Sequence, residues 1–141
     1  MITLLTGIKS TGAALDAERI RMDVISQNIA NVNITRGPDG KPYQRQQVVF
    51  ASVLRDRQAG ATGAPQQVQI ARIVKDNRPA RMVYNPSHPD ANAQGMVAMP
   101  DINIHEEMVD MIASSRTYEA NIAVVRNART MALQDLSIGK H

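Results

Sequence analysis

Residues 104–136, IHEEMVDMIASSRTYEANIAVVRNARTMALQDL, decide how this chain folds. Steps of four and three along that stretch pick out Ile104, Met108, Met111, Ser115, Tyr118, Ile122, Val125, Arg129, Ala132 and Leu136. An alternation of this kind keeps one seam of a helix turned towards a neighbouring helix. At the amino end, Leu4, Ile8, Thr11, Leu15, Glu18, Met22, Ile25, Ile29 and Val32 repeat the same rhythm. The spacing predicts a first helix over residues 3–33, roughly 45 Å long, and a last helix of about 50 Å. Both are longer than a small globular core requires. Their apolar positions are therefore expected to form a helix seam within the subunit and an interface with adjoining subunits.

The seams are imperfect. Thr11, Glu18 and Arg129 stand where apolar residues belong, and Gly7 and Gly12 each cost roughly 1 kcal/mol of helix propensity relative to Ala. The last helix has a marked start, with Asn103 as a cap and Glu106 three residues on as the return partner of a capping box. Gly139 is read as its stop. Acids at Glu106, Glu107 and Asp110 and bases at Arg126, Arg129 and Lys140 suit the helix dipole. Met108 and Met111 add adaptable thioethers to a seam facing non-identical neighbours.

Between the ladders the pattern changes. Arg36-Gly37-Pro38-Asp39-Gly40-Lys41-Pro42 stops any helix, because two prolines remove amide donors and two glycines invite a tight turn. Strands are expected over Tyr43–Leu54, around Val68 to Val74, at Arg81–Tyr84 and over Gly95–Met99, making one small antiparallel unit. Gly60 to Pro65 reads as a flexible loop, and Asn85 to Asn92 as an extended one. The fold class is thus α+β. Residues 1–35 and 101–141 are expected to pair as an antiparallel-type coiled coil, with a β-rich domain at 36–100 inserted between them.

Composition limits what this fold can bury. The chain has 141 residues, and only 3% are aromatic: one Phe, three Tyr and no Trp. Few large side chains are available for a core, so ordering is expected to draw on aliphatic helix packing and on partners. Cysteine is absent, which excludes disulfides and thiolate metal sites. No signal peptide pattern and no membrane span are read from the sequence. The net charge of +3 is uneven: residues 36–100 carry +5 and residues 101–141 carry −2. Arginines scattered without interleaved aromatics read as a solvated surface, so no nucleic-acid partner is expected.

Catalytic signatures are missing too. His105-Glu106-Glu107 sets imidazole beside carboxylate, but the fourth residue after His105 is Val109 rather than a second His. No nucleophile elbow and no phosphate-binding loop occurs. No enzyme activity, metal or cofactor is expected. Asn28, Asn31 and Asn33 cluster at the end of the first helix, with Asn121 as the matching amide in the last. They suit either local capping or bonds across an interface. On these grounds alone, a stand-alone coiled-coil adaptor remains an alternative.

Two segments carry a family resemblance. Ser26-Gln27-Asn28-Ile29-Ala30-Asn31 is similar to the amino-terminal signature of the bacterial flagellar axial proteins, and Arg116-Thr117-Tyr118-Glu119-Ala120-Asn121 resembles their carboxy-terminal one. Pro38 to Tyr43 with Val48-Val49-Phe50, Tyr84 to Ala91, and Met99 to Asn103 running into Glu106 to Val109 resemble the proximal-rod branch of that family. Another axial rod or hook-type protein is the alternative within it. The resemblance implies a structural subunit of the flagellar basal body, located in the periplasmic rod. Its expected partners are copies of itself and other rod proteins, and it is expected to leave the cytoplasm through the flagellar export apparatus without a cleaved signal. Assembled helically, it would pass torque from the membrane ring to the distal rod and hook.

Overall fold

Helix α1 occupies Ile2–Ala30, strands β1 to β4 occupy Gln46–Val53, Gln67–Lys75, Arg81–Tyr84 and Met96–Met99, and helix α2 occupies Ile104–Ile138. The computed structural model describes residues 2–53 and 67–138. The expected Gly60 to Pro65 loop, the end of the first strand at Leu54 and the Gly139 stop lie outside the described residues. The class is α+β, with two long helices and two small antiparallel sheets.

α1 ends earlier than its ladder predicts. The Asn31 side chain donates to the carbonyl of Gln27 at 2.7 Å, alongside the Asn31 backbone N–H at 3.0 Å, and the chain turns through Asn33. The ladder at Val32 therefore runs past the helix itself, into a turn in which Val32 N–H donates to Ile29 O at 3.4 Å and Ile34 N–H to Asn31 O at 3.1 Å. The Gly-Pro turn follows as expected. Gly37 N–H donates to Lys41 O at 2.7 Å, and Gly40 closes the turn at φ 70°, a region that side-chain-bearing residues avoid. Tyr43 N–H then donates to Ile34 O at 3.1 Å, which lays the approach to β1 against the exit of α1.

The expected single β unit is two separate two-stranded sheets. β1 pairs antiparallel with β2 from Gln46↔Lys75 to Val53↔Gln67, with a bulge between Val49 and Phe50. β3 pairs with β4 from Arg81↔Met99 to Tyr84↔Met96. What parts them is the link after β2. Arg78 N–H donates to Asp76 Oδ1 at 3.1 Å, a side-chain turn, and Pro79 follows without an amide donor. The Asn85 to Asn92 segment is likewise not extended. Two successive turns fold it, His88 N–H donating to Asn85 O at 3.2 Å and Ala91 N–H to His88 O at 3.0 Å, with Pro86 and Pro89 each second in its turn. Proline favours that position because its φ is already set there. Asp90 then ties the loop to the exit of α1, accepting from Thr35 Oγ1 at 2.8 Å and lying 3.7 Å from Arg36.

α1 lies at the centre, packed against α2, β1 and β2. The buried apolar residues described are few: Ala17, Val24 and Ile25 on α1, Val97 on β4, and Pro100 and Ile102 just before α2. Asn103 caps α2 as expected, its Oδ1 accepting from His105 N–H at 3.1 Å. Glu106 returns to the cap in a different form, its Oε1 accepting from the Asn103 side-chain amide at 3.1 Å rather than from the backbone.

Gly95, which closes the β3–β4 loop, sits at φ 72°, and a Cβ there would stand 3.0 Å from Tyr84 Cε2 and 3.2 Å from Pro86 Cβ. Gly95→Ala is expected to lower stability by at least about 1–2 kcal/mol, the ordinary cost of a left-handed side-chain-bearing residue. Urea unfolding followed by circular dichroism measures it.

Candidate functional site

The end of α1, the start of β1 and the first turn of α2 meet at one buried polar cluster. Asn28 and Glu107 are each only 1% exposed. The Asn28 Nδ2 group donates to Gln46 O at 2.9 Å and to Glu107 Oε2 at 3.0 Å, while Oδ1 accepts from Gln46 N–H at 2.9 Å and from the Tyr43 hydroxyl at 3.1 Å. Two donors and two acceptor sites are all that an amide offers, so Asn28 is saturated. Towards Gln46 it behaves as one residue of a neighbouring strand, meeting both the N–H and the C=O at the first position of β1.

Glu107 is held on its other oxygen. Arg45 donates from Nε to Glu107 Oε1, and its Nη2 lies 3.9 Å from Asp110. The Arg45 side chain is itself largely buried. A carboxylate this deep is tolerable only with a cation and hydrogen bonds around it, because desolvation of a lone charge is far more costly than any packing gain at the site. Burial also pushes the Tyr43 hydroxyl above its ordinary value, and the nearby Glu107 charge adds to the rise. A second ionic group, Asp76–Arg78–Asp101, ties the β2–β3 link to the approach of α2 at 2.8 and 3.1 Å. The Arg78 hydrogen bonds hold the Asp76 carboxyl below the usual range, but the group is solvent-facing and contributes little to stability.

The ladder residues fall into two sets. On α1, Ile25 is buried, and Ile8, Thr11, Leu15, Glu18, Met22 and Ile29 are half-buried, as is Val32 just beyond the helix. Leu4 lies in α1, and its side chain is outside the described residues. On α2, Met111, Ser115, Tyr118, Ile122, Val125 and Ala132 are half-buried, whereas Ile104, Met108, Arg129 and Leu136 are exposed. The best-buried rungs of α2 are Glu107 and Ser114, one residue before the ladder's Met108 and Ser115. The three motif amides differ in use: Asn28 bonds across elements, Asn31 caps its own helix, and Asn121 is half-buried on α2.

Sequence reasoning missed Glu107 and Arg45 as cluster members, and Ala17, Val24 and Ser114 as buried positions. A trace of the second stripe was present, since Glu107, Ser114, Asn121 and Ala128 recur every seven residues, but none of them is a large apolar residue. Nothing local singles out Arg45.

As chemistry, the cluster is a clamp. Its groups bond to one another and to backbone, which suits joining three elements rather than transforming a ligand. Among the described residues no group of three or more His, Cys, Asp or Glu side chains stands close enough to hold a metal ion. His88 Nδ1 accepts from Asp90 N–H at 3.1 Å, a local turn contact. No described helix is long and apolar enough to cross a membrane.

Two family patterns match the helices that this clamp joins. That of the "Flagella basal body rod protein" family covers residues 9–38, and that of the "Flagellar basal body rod FlgEFG protein C-terminal" family covers residues 93–138. The class is therefore the flagellar basal-body rod proteins, which are structural subunits. Three relatives carry the name flagellar basal-body rod protein FlgC. The protein of Borreliella burgdorferi is 40% identical over 96% of this chain and 97% of its own length. That of Bacillus subtilis is 35% identical and that of Salmonella typhimurium 37%, each over 99% of this chain and all of the relative. The chain belongs to the FlgC family.

Asn28→Ala orphans the Gln46 N–H and C=O, the Tyr43 hydroxyl and one Glu107 oxygen. At about 1–3 kcal/mol for each buried group left unpaired, a loss of at least about 3 kcal/mol is expected in urea unfolding. The Tyr43 shift gives a pH signature. Its folded value lies above the unfolded one, so its contribution is complete below the ordinary tyrosine range near 10 and is lost as pH rises through the raised value. Tyr43→Phe is expected to remove that part of the alkaline fall, read as the difference between the two stability profiles above pH 9.

Proposed function

We propose that the chain works as a proximal-rod subunit that stacks helically with copies of itself and with other rod proteins and transmits torque from the membrane ring towards the distal rod and hook. In this reading residues 1–35 and 101–141 pair as an antiparallel-type coiled coil and form the axial body. Residues 36–100 are the inserted β-rich unit, facing outward and adding lateral contacts. The subunit passes through the flagellar export apparatus and functions in the periplasmic rod, and no turnover is involved. The names and near-complete coverage of its relatives support the placement.

One observation carries the assembly reading. α2 leaves Ile104, Met108, Val109, Ile112, Val124, Met131, Leu133 and Leu136 exposed along its length, while small and polar residues occupy its best-buried rungs. Fully burying a side chain of this size is worth roughly 1.5–3 kcal/mol. A row of them on one helix is a strong driving force for association once neighbours supply the covering surface. Interlocked seams then resist axial shear, since sliding one helix past another by a turn, about 5.4 Å, unpacks every knob along the seam. A head-to-tail contact that does not close generates a helical array, which suits a rod.

Met108→Asp combined with Ile112→Asp places charge on that outward face without touching the buried clamp. Such a strain is expected to secrete the subunit at the normal level, to yield basal bodies that stop short of a hook, and to be non-motile. Normal swimming by the double variant would overturn the assembly reading.

A further inference from the structure

α2 carries two overlapping stripes of the same period, and the fold turns the less apolar one inward. Glu107, Met111, Ser114, Tyr118, Asn121, Val125, Ala128 and Ala132 are all buried or half-buried. The rival stripe shares Met111, Tyr118, Val125 and Ala132 but has Met108, Ser115, Ile122 and Arg129 in place of the others. Exchanging the two is a turn of α2 about its own axis by about 50°, half the angle between consecutive helical residues. Next to the clamp, apolar burial alone favours the rival setting, because exposed Met108 would replace Glu107 at the seam; further along, Asn121 and Ile122 are both half-buried already.

The hydrogen bonds at the root of the helices oppose that turn. Asn28 is fixed from the α1 side by three bonds to Gln46 and Tyr43, and its last donor points at Glu107 Oε2. Arg45 reaches the other oxygen from the segment leading into β1. Rotating Glu107 away would leave a buried amide donor and a largely buried guanidinium without partners, which is costlier than a half-covered methionine. Small residues favour the observed setting as well: Ala17 is buried on α1, and Ser114 and Ala128 lie on the inward stripe of α2, the latter where the rival stripe has Arg129.

We infer that Asn28, Glu107 and Arg45 are positioning residues that set the rotation of α2, turning its small and polar stripe onto α1 and reserving Ile104 and Met108 for a helix of an adjoining subunit. A single buried polar contact can fix helix register at some expense of stability, and here it also selects which face the assembly receives. The identity of the outer partner rests on the assembly reading above, whereas the rotation does not.

Cysteine is absent from the sequence, so single cysteines at Met108 or Ser114 report the two faces by their rates of reaction with a water-soluble maleimide. In the otherwise unchanged chain, Met108→Cys is expected to react at least tenfold faster than Ser114→Cys, as Met108 is 52% exposed and Ser114 1%. Glu107→Gln keeps an acceptor for Asn28 and is expected to preserve this order. Asn28→Ala with Glu107→Ala removes both polar partners without placing a large apolar side chain at position 107, and is expected to bring the ratio down to about one as Met108 turns inward. A folded double variant with an unchanged ratio overturns the inference. If both positions in that variant react at the unfolded rate, Arg45→Leu decides: a fall of at least threefold in the ratio supports the inference, and an unchanged ratio overturns it. The reactions are read on the isolated chain, so a failure of copies to assemble leaves their outcome intact.

Discussion

A buried carboxylate must have partners, and that requirement organises this molecule. Glu107 lies almost wholly out of water, and it is stable there because Arg45 and Asn28 reach it from two other parts of the chain. Asn28 in turn supplies the strand-like contact that opens β1 at Gln46. The end of one helix, the start of a sheet and the start of the other helix are thereby held at one point. The loop after β3 is bound to the same region by Asp90, through Thr35 and Arg36. Polar contacts carry much of this organisation because only 3% of the residues are aromatic and the apolar core is small.

The outward surface of α2 follows from the same clamp. With Glu107 and Ser114 turned in, several large apolar side chains, Met108, Val109, Ile112 and Val124 among them, lie exposed on other faces of the helix, where the lone subunit does not cover them. A rod subunit has neighbours that can cover such a surface. A rod that carries torque must resist shear along and around its axis, and long interdigitated helix faces do so in proportion to the number of side chains that must unpack together. Membership of the FlgC family and the exposed stripe thus point the same way from independent starting points.

Much of this was legible in the residues. Heptad spacing located both helices, Asn103 marked the start of α2, and Arg81–Tyr84 appeared as a strand with the expected bounds. Most of the misses share a cause. α1 ended early, in turns at Asn31 to Asn33, where the apolar period still ran on to Val32. Asp76 and Pro79 divided what read as one sheet, and Pro86 and Pro89 curled a segment that read as extended. In the latter two cases a short polar side chain or a proline chose between local conformations that the hydrophobic pattern does not distinguish. Ranking apolar residues on α2 likewise selected Met108 over Glu107, since a lone glutamate has no reason to be buried.

By itself, the sequence determined the number and approximate position of the helices, the break at Gly37 to Pro42, and the family to which the chain belongs. These depend on spacing along the chain and on contiguous motifs, which are local properties. Only the tertiary structure decided which stripe of α2 faces α1 and which faces outward. That choice depends on Asn28, Arg45 and Glu107 converging from positions far apart in the chain, and the free energy of a buried charge is set by what surrounds it in space.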